Sequence, residues 1–230
     1  IGGNMILVIG RGYIGKPLLE SLQSRGQHVY QFLGDLMNRE ALPANWSKSL
    51  STVVNCAGLV QAKAQRDPAR AAGVNIGAVE QMIELCADND VRFVHVSTEY
   101  VFGGNGQQTP FSTWQATCPL DRCWYGVTKA LADRRVSRYT NSLIIRPSVM
   151  PEPFPYKQAF TNVISSKLPM ADAIQQMADL ICADGRTGVA HVCGPPQSIY
   201  GYLQSQGVDV EPCRAPYTWT NHHPTYTALK

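Results

Sequence analysis

Tyr125 and Lys129 are the residues of this sequence whose types and spacing most directly indicate acid–base chemistry. They form a Tyr-x-x-x-Lys motif in a predicted helix, where a four-residue step places both side chains on one face. A free tyrosine titrates at about pH 10, so it is a poor acid–base catalyst at neutral pH. Because a neighbouring ammonium stabilises the phenolate, we predict that Lys129 lowers the pKa of Tyr125. The motif alone is weak, since both residue types are common in helices.

Thr98 is the third candidate catalytic residue. Ser97 and Thr98 end a predicted strand, at the edge where ligands bind in doubly wound sheets. A hydroxyl at this position is placed to hydrogen-bond a substrate oxygen beside the tyrosine. The next residue, Glu99, is predicted either to act as a second acid or to cap a turn.

A glycine-rich turn at residues 10–15 has the spacing Gly-x-Gly-x-x-Gly, follows an apolar run and opens a predicted helix. Gly10 permits the tight turn, Gly12 lets a pyrophosphate approach the backbone, and Gly15 lets the helix pack against the strand. The free N–H groups at the helix start attract the phosphates. The predicted dinucleotide-binding residues are Gly10, Arg11, Gly12, Tyr13, Ile14 and Gly15. The alternative is a turn that is merely tight.

The choice of dinucleotide depends on the second predicted strand, residues 28–32. In NAD-binding folds an acidic residue at the end of this strand holds the ribose 2′-hydroxyl. The strand reads HVYQF and has no acid, whereas Arg11 is available to meet a 2′-phosphate. We therefore predict NADP(H) as the preferred cofactor, with NAD(H) as the alternative.

Strands alternate with helices along most of the chain, which is typical of crossover units and a parallel sheet. The fold class predicted is α/β, a Rossmann-type doubly wound parallel sheet with a small C-terminal substrate lobe. Short apolar runs predict strands at 5–9, 28–32, 51–55, 91–96 and 142–145. Helical spacing predicts helices at 13–25, 67–87 and 125–139.

The pattern of alternating strands and helices ends at Pro147, because four prolines (147, 151, 153 and 155) fall within a short stretch. We predict a nucleotide-binding domain at 1–147 and a reduced substrate-binding lobe at 148–230 that is interleaved with the sheet domain. The lobe region should hold a helix at 171–183, a strand at 188–193 and a helix at 199–206. A length of 230 residues, at about 150 per domain, allows one domain plus an appendage.

Composition excludes several classes of protein. A hydrophobic fraction of 44% with 16% charged residues excludes a disordered chain. No apolar run of about 18 residues predicts a membrane span, and a net charge of +3 is too small to indicate nucleic-acid binding. Seven cysteines without CxxC spacing, and no visible secretory signal, predict reduced thiols, no metal site and a cytoplasmic location. Core or lid packing is expected for Trp46, Trp114 and Trp219.

The motifs occur in an order that resembles the extended short-chain dehydrogenase/reductase superfamily, and more narrowly the dTDP-4-dehydrorhamnose reductase family. The resemblance covers nearly the whole chain, and the segment STEYVF at 97–102 is its most specific part. The family has aspartate where Glu99 stands. The other matching segments are the glycine turn, NCAG at 55–58, VN at 74–75, the Tyr-x-x-x-Lys motif, IIRPS at 144–148 and GVAHV with GP at 188–195.

The resemblance implies a role for each matched residue. Tyr125 would give a proton to a sugar ketone as hydride arrives from the nicotinamide, while Thr98 orients the carbonyl oxygen. Lys129 would also hold the nicotinamide ribose. The remaining implied cofactor contacts are Asp35 and Leu36 beside the adenine, and Ala57 and Gly58 in the cleft. The predicted substrate contacts are Glu99, Trp124 and Ser148.

Two further polar residues keep open alternatives. Asn75 is expected either to support the neighbouring strand or a water, or to be a buried structural amide. Arg146 is expected either to face the cleft or to form a structural ion pair.

The sequence also departs from the family. The glycine turn is one residue shorter than the family's usual form, and only Lys63 remains of an acid–lysine pair after the third strand. Residues 121–124 separate the family's Pro-Leu pair from the catalytic tyrosine, so Trp124 is expected to reshape the substrate mouth. The long substrate-binding insertion after Ser148 is largely missing. The pocket is therefore expected to be reduced, or completed by a second subunit.

Three functions remain open from the sequence. The first is an NAD(P)-dependent reductase of a keto group on a nucleotide-linked sugar or related small carbonyl compound, possible as a homodimer. The second is an epimerase or dehydratase, although a dehydratase usually has an acidic pair beside the threonine. The third is a non-catalytic NADP-binding regulatory subunit, as one relative of this branch is for methionine adenosyltransferase.

Overall fold

The computed structural model describes residues 5–37, 50–102 and 123–216, and the backbone of 226–227. The residues Trp46, Trp114, Trp219 and Cys118 lie outside these ranges. The strands are β1 Met5–Ile9, β2 His28–Phe32, β3 Leu50–Asn55, β4 Arg92–Val96, β5 Ser142–Pro147, β6 Gln158–Phe160, β7 Ile164–Ser165, β8 Gly188–Val192, β9 Gln197–Ser198, β10 Glu211–Cys213 and β11 Tyr226–Thr227. The helices are α1 Gly15–Ser24, α2 Gln61–Arg66, α3 Pro68–Ala72, α4 Ala78–Asp88, α5 Trp124–Val136, α6 Met170–Cys182 and α7 Ile199–Ser205.

Six strands form one parallel sheet in the order β2-β1-β3-β4-β5-β8. The chain passes from β1 to β2 on one side and then returns to add β3 on the other side. This reversal leaves a crevice at the carboxyl ends of β1 and β3, where ligands bind in folds of this type. The Rossmann-type parallel sheet predicted from the sequence is confirmed.

Hydrophobic residues bury both faces of the sheet, which is why its strands are apolar throughout. On one face Val8 and Val94 pack with Leu18 of α1 and Met177 of α6. On the other face the strands pack with α4 and α5, through Val53, Phe93, Met82 and Val136. Two helical layers therefore hold the sheet rigid beneath the crevice.

The helix predicted over residues 67–87 is one run in three parts. Asp67 caps α3, with its side chain accepting a hydrogen bond from the Arg70 N–H, and Pro68 occupies the first turn. A π-helical segment at Gly73–Gly77 then joins α3 to α4. Ala78, Met82 and Cys86 of α4 are buried, whereas Leu85 is only half-buried.

Residues after β5 build a small lobe and also return to the main sheet. Short strands pair as β10-β6 and as β11-β7-β9, elements that the sequence analysis missed, as it missed α2. A separate core of Met150, Ala159, Tyr202, Leu203 and Val210 stabilises the lobe. β8 joins the main sheet and α6 packs against α1, so the segment after residue 147 is interleaved with the segment before it. A domain boundary at residue 147 stays a prediction.

No helix in the described ranges is long and apolar enough to cross a membrane.

Candidate active site

Thr98 and Tyr125 meet where β4 ends and α5 begins. The Thr98 side chain lies close enough to the Tyr125 hydroxyl to lower its pKa, and the Thr98 Oγ1 accepts a hydrogen bond from the Tyr100 backbone N–H at 3.2 Å. The ring of Tyr100 lies beside that of Tyr125, with centroids 6.0 Å apart. The two hydroxyls predicted to contact a substrate oxygen are thus brought together.

The pKa of Tyr125 moves in the direction opposite to the one predicted. Loss of solvent around the hydroxyl raises its pKa to about 12, while the Thr98 side chain acts to lower it. The prediction that Lys129 lowers this pKa is wrong for the chain without ligand. The physical reason is that Lys129 Nζ contacts the Val96 carbonyl and His95. Burial therefore has the largest effect on the pKa of Tyr125.

Lys129 is buried, with 3% of its surface exposed. Its Nζ donates to the Val96 carbonyl at 2.7 Å and lies 2.9 Å from His95 Nε2. Burial lowers the pKa of Lys129 to about 8, although the carboxylate of Asp133 and the thiol of Cys56 oppose this shift. A lysine with this pKa can exchange a proton near neutral pH.

His95 and Asn55 extend the contacts of Lys129 into the sheet. They are directly paired across β3 and β4, and Asn55 Nδ2 lies 3.2 Å from His95 Nδ1. The Asn55 Oδ1 accepts from the Ala57 N–H at 3.0 Å. The sequence analysis missed His95, although a histidine inside the apolar run FVHV was the available signal.

Asp133 and Arg146 form a buried ion pair, with Arg146 Nε donating to Asp133 Oδ2 at 2.9 Å. The guanidinium also stacks over the ring of Phe102, 5.1 Å from its centroid. The structural ion pair, one of two alternatives for Arg146, is what the structure has. Asp133 was missed, yet it follows Tyr125 and Lys129 at a repeated four-residue step on one helix face.

The glycine turn has the geometry that its spacing predicts. Gly10 has a φ of +100°, and a Cβ there would lie 2.8 Å from the Ala57 nitrogen. A Cβ on Gly15 would lie 2.2 Å from the Gly10 carbonyl oxygen, so the start of α1 and the turn are in close contact. A Cβ on Gly12 would meet no described atom within 4 Å. The backbone of Gly12 is thus open to a ligand.

The start of α1 is suited to an anion. Its cap, Ile14, makes no side-chain hydrogen bond, and no acidic residue lies in the first turn of the helix. The first N–H groups of a helix carry partial positive charge and attract phosphate when nothing else occupies them. Arg11, in the preceding turn, is exposed.

Tyr13 connects the glycine turn to the lobe. Its hydroxyl donates to the Met150 carbonyl at 2.9 Å and accepts from the Glu152 N–H at 2.6 Å. The side chain is therefore a structural tie, and only the backbone of Tyr13 is left for the predicted pyrophosphate contact.

The other predicted cofactor contacts lie at the same edge of the sheet. Leu36 is a core residue that packs with Ile9, whereas Asp35 is exposed and accepts from the Met37 N–H at 3.0 Å. Ala57 and Gly58 follow β3 next to the glycine turn. Contact of these residues with a cofactor stays a prediction.

Asn75 is the buried structural amide that was one of its two alternatives. Its side chain accepts from the Leu59 N–H at 2.8 Å and donates to the Leu59 carbonyl at 3.0 Å. It also donates to Thr128 Oγ1 at 2.9 Å. Asn75 thereby fixes the loop after β3 against α5.

Glu99 and Ser148 lie together in a buried cluster. The Glu99 carboxylate accepts from Ser148 at 2.6 Å and from Ser165 at 2.7 Å, and it pairs with Lys167. Both residues are buried, and their contact with a substrate stays a prediction. Turn capping is done by Thr98 instead. The sequence analysis missed Ser165 and Lys167.

Trp124 packs against the junction of α2 and α3. Its indole N–H donates to the Pro68 carbonyl at 3.0 Å, and its backbone N–H donates to Gln65 at 3.4 Å. These contacts hold Trp124, the first residue of α5, against α2 and α3. Its contact with a substrate stays a prediction.

The part of the chain that the structure describes has no cluster of histidine, cysteine or acidic residues arranged to hold a metal ion. Six cysteines in it form no disulfide: Cys56, Cys86, Cys123, Cys182, Cys193 and Cys213.

Comparison with known proteins identifies related sequences. The family described as "RmlD substrate binding domain" matches residues 4–183. The dTDP-4-dehydrorhamnose reductase of Mycolicibacterium smegmatis is 29% identical over 136 residues, which cover 57% of this chain and 41% of that protein. The enzyme of the same name from Escherichia coli K12 is 31% identical over 154 residues, covering 62% and 50%. The chain spans about half the length of the curated relatives it matches.

Solved structures share the fold. A dTDP-4-dehydrorhamnose reductase from Bacillus anthracis, in complex with NADP, superposes with a TM-score of 0.81 over 99% of this chain and 89% of that chain, at 18% identity. An ortholog from Clostridium acetobutylicum gives 0.82 over 98% and 90%, at 19% identity. The resemblance stated from the motifs is confirmed at the level of family and fold.

Proposed function

Because the chain belongs to the RmlD substrate-binding domain family, we propose that it is an NAD(P)-dependent reductase. The substrate would be a keto group on a nucleotide-linked sugar or a related small carbonyl compound. The observation that carries the proposal is that Thr98 lies beside Tyr125, with Lys129 one helical turn further along α5. Relatives named dTDP-4-dehydrorhamnose reductase support the substrate class.

The residues present fit a dinucleotide. The open backbone at Gly12 and the uncapped start of α1 would hold the pyrophosphate, and Ala57 and Gly58 would border the cleft. Lys129 would hold the nicotinamide ribose. When bound, NAD(P)H would supply the hydride.

Thr98 and Tyr125 would carry out the proton chemistry. Thr98 orients the substrate oxygen by a hydrogen bond, and Tyr125 donates the proton as negative charge develops on that oxygen. A pKa of about 12 keeps Tyr125 protonated at neutral pH, which is the state that reduction requires of a proton donor. The proton therefore stays on the phenol until the substrate oxygen becomes more basic.

The contacts of Glu99 favour reduction over dehydration. A dehydratase needs an acid beside the threonine to act on the substrate. Here the Glu99 carboxylate binds two serines and Lys167 inside the protein. Product formed without net cofactor oxidation would favour the epimerase or dehydratase alternative.

Tyr125→Phe tests the proposal because it removes only the hydroxyl. We expect NADPH oxidation, measured against a panel of nucleotide-linked keto sugars, to fall by about 10²- to 10⁴-fold, the usual contribution of a general acid. NADPH binding, followed by its fluorescence, should be nearly unchanged. Tyr139→Phe is the matched control, since that hydroxyl donates to the Val91 and Cys86 carbonyls, away from the site.

Turnover retained in Tyr125→Phe would refute the role of the tyrosine. Tight NADPH binding by the wild-type chain with no turnover on the panel would favour the regulatory subunit. The same assay run with NADH tests the cofactor preference, and equal or better turnover with NADH would contradict the part assigned to Arg11.

A homodimer is part of the proposal, because a reduced lobe would gain substrate contacts from a second subunit. Light scattering of the purified chain measures this state directly. The cytoplasmic location expected from the sequence stays a prediction.

A further inference from the structure

The side-chain amide of Asn55 has a fixed orientation. The Ala57 backbone N–H is a donor under all conditions, and it lies 3.0 Å from Asn55 Oδ1. Rotating the amide would place its NH₂ group against this N–H, two donors facing each other. The orientation is thus set by the backbone, and Asn55 Nδ2 must face His95.

This orientation also fixes the tautomer of His95. The ring is fully buried, and burial holds its pKa well below the usual range, so the imidazole is neutral. Because Nδ1 accepts the hydrogen bond from Asn55 Nδ2 at 3.2 Å, its single proton is on Nε2.

The N–H of His95 therefore points at the Lys129 nitrogen, 2.9 Å away. A lysine ammonium has donors only, so it would face this N–H as a second donor. A neutral amine accepts from His95 Nε2 and still donates to the Val96 carbonyl at 2.7 Å. Every donor and acceptor in the series of hydrogen bonds that begins at the Ala57 N–H and ends at the Val96 carbonyl then has a partner.

Other groups around Lys129 Nζ also affect its protonation, some favouring the ammonium and some the amine. Asp133, on α5, favours the ammonium by the charge of its carboxylate. Cys56, after β3, is a neutral thiol near neutral pH, because burial raises its pKa to about 12. Burial by the surrounding strands favours the amine. The Asp133 carboxylate lies 4.0 Å from His95 Nε2, where it also favours a proton on that nitrogen. The hydrogen bond from the His95 N–H and the burial of Lys129 therefore both favour the neutral amine.

We propose that Asn55 and His95 are positioning residues that present an N–H to Lys129 and thereby favour its neutral amine over its ammonium in the protein without ligand. The part that Lys129 takes in reduction rests on the proposed function, but the direction of this hydrogen-bond chain does not. If both hold, the protonation of Lys129 changes within the working pH range of the enzyme.

The experiment is a nitrogen NMR study of the free, ¹⁵N-labelled protein, in which no turnover is involved. Two-bond correlations report the tautomer of His95, identified by its absence in His95→Gln. The ¹⁵Nζ shift against pH reports the pKa of Lys129, identified by its absence in Lys129→Met. We expect the Nε2–H tautomer at pH values above the pKa of Lys129, and titration of Lys129 well below the usual lysine value.

Asn55→Asp reverses the direction of the chain with almost no change in shape. One carboxylate oxygen still accepts from Ala57, and the other now accepts from His95 Nδ1. The proton should move to Nδ1, Nε2 should accept from a Lys129 ammonium, and the pKa of Lys129 should rise by about one unit or more, a tenfold change in its amine-to-ammonium ratio. Asn75→Asp is the matched control, a buried amide whose described partners are Leu59 and Thr128.

Two results would overturn the inference. One is an Nδ1–H tautomer in the wild-type chain at pH values above the pKa of Lys129, which needs no variant and so remains decisive if Asn55→Asp fails to fold. The other is an equal rise in the pKa of Lys129 in Asn55→Asp and Asn75→Asp, because added charge alone would then explain it. Failure of Tyr125→Phe to lose turnover would instead refute the proposed function and leave these NMR results unaffected.

Discussion

Two buried polar clusters lie at opposite sides of the end of β4, and they are built in different ways. The central cluster consists of Asn55, His95, Lys129, Asp133 and Arg146, all on β3, β4, β5 or α5. The lobe cluster consists of Glu99, Ser148, Ser165 and Lys167, of which only Ser165 belongs to a regular strand. The first surrounds the Lys129 side chain inside the sheet domain, whereas the second attaches the lobe to the sheet.

The difference follows from how each contact is specified. Strand pairing places Asn55 beside His95, and a four-residue helical step places Asp133 after Lys129, so the central contacts follow from the elements themselves. The lobe contacts join residues that are far apart in sequence, and of these only Ser165 lies in a regular strand. We therefore expect the central cluster to resist change as part of the whole fold, and the lobe cluster to open locally.

The largest expected effect is in the central cluster. Arg146→Met leaves the Asp133 carboxylate buried without its cation, which should cost about 3–5 kcal/mol in the free energy of unfolding, measured in urea. Replacing both partners, as Asp133→Leu with Arg146→Met, should recover much of this loss. Arg135→Met is the control, because its ion pair with Glu80 is well exposed and contributes about 1 kcal/mol or less. A similar small loss in Arg146→Met would contradict the comparison.

The lobe cluster should give a smaller and local effect. Glu99→Gln keeps an acceptor for the serines but removes the charge that pairs with Lys167, at a cost of about 1–3 kcal/mol. Hydrogen exchange followed by mass spectrometry should rise in β6, β7 and α7 and stay unchanged in β4 and β5. Glu211→Gln, on exposed β10, is the control. Equal exchange increases in the main sheet would mean that the lobe cannot open by itself.

The sequence was sufficient where one local rule decides the structure. The apolar runs predicted the strands of the main sheet, and the glycine spacing predicted a turn that the φ of Gly10 and the open space at Gly12 support. Residue type and spacing also pointed to Thr98, Tyr125 and Lys129, and the structure places Thr98 beside Tyr125 and Lys129 on the same helix. Their catalytic role stays a prediction.

The sequence was insufficient where a contact needs the third dimension. The pKa of Tyr125 was predicted in the wrong direction, because the partners of Lys129 come from β4, which the motif does not include. The contacts of Glu99 were not predicted, because Ser165 and Lys167, which bind it, lie far along the chain in a region with weak periodicity. The short strands of the lobe have too few residues to show a pattern.

Mildly acidic pH should disturb the central cluster and not the lobe cluster, since only the former contains a histidine. His95 is neutral in the fold because its pKa is held well below the usual value, whereas in the unfolded chain it takes up a proton below about pH 6.5. Stability that is present above this pH is therefore lost as the pH falls, by at most about 1.4 kcal/mol per pH unit for one proton. His191, whose pKa burial lowers to about 4, contributes in the same direction.

The slope of unfolding free energy between pH 6.5 and pH 5, from urea titrations, separates these contributions. His95→Gln should reduce the slope by up to one proton, and His95→Gln with His191→Gln should reduce it by up to two. A slope in His95→Gln equal to that of the wild-type chain would mean that His95 is already charged in the fold. In that case both ring nitrogens of His95 would carry a proton, and the proton on Nε2 would no longer identify a neutral tautomer. The central cluster would then lack the neutral histidine that distinguishes it from the lobe cluster.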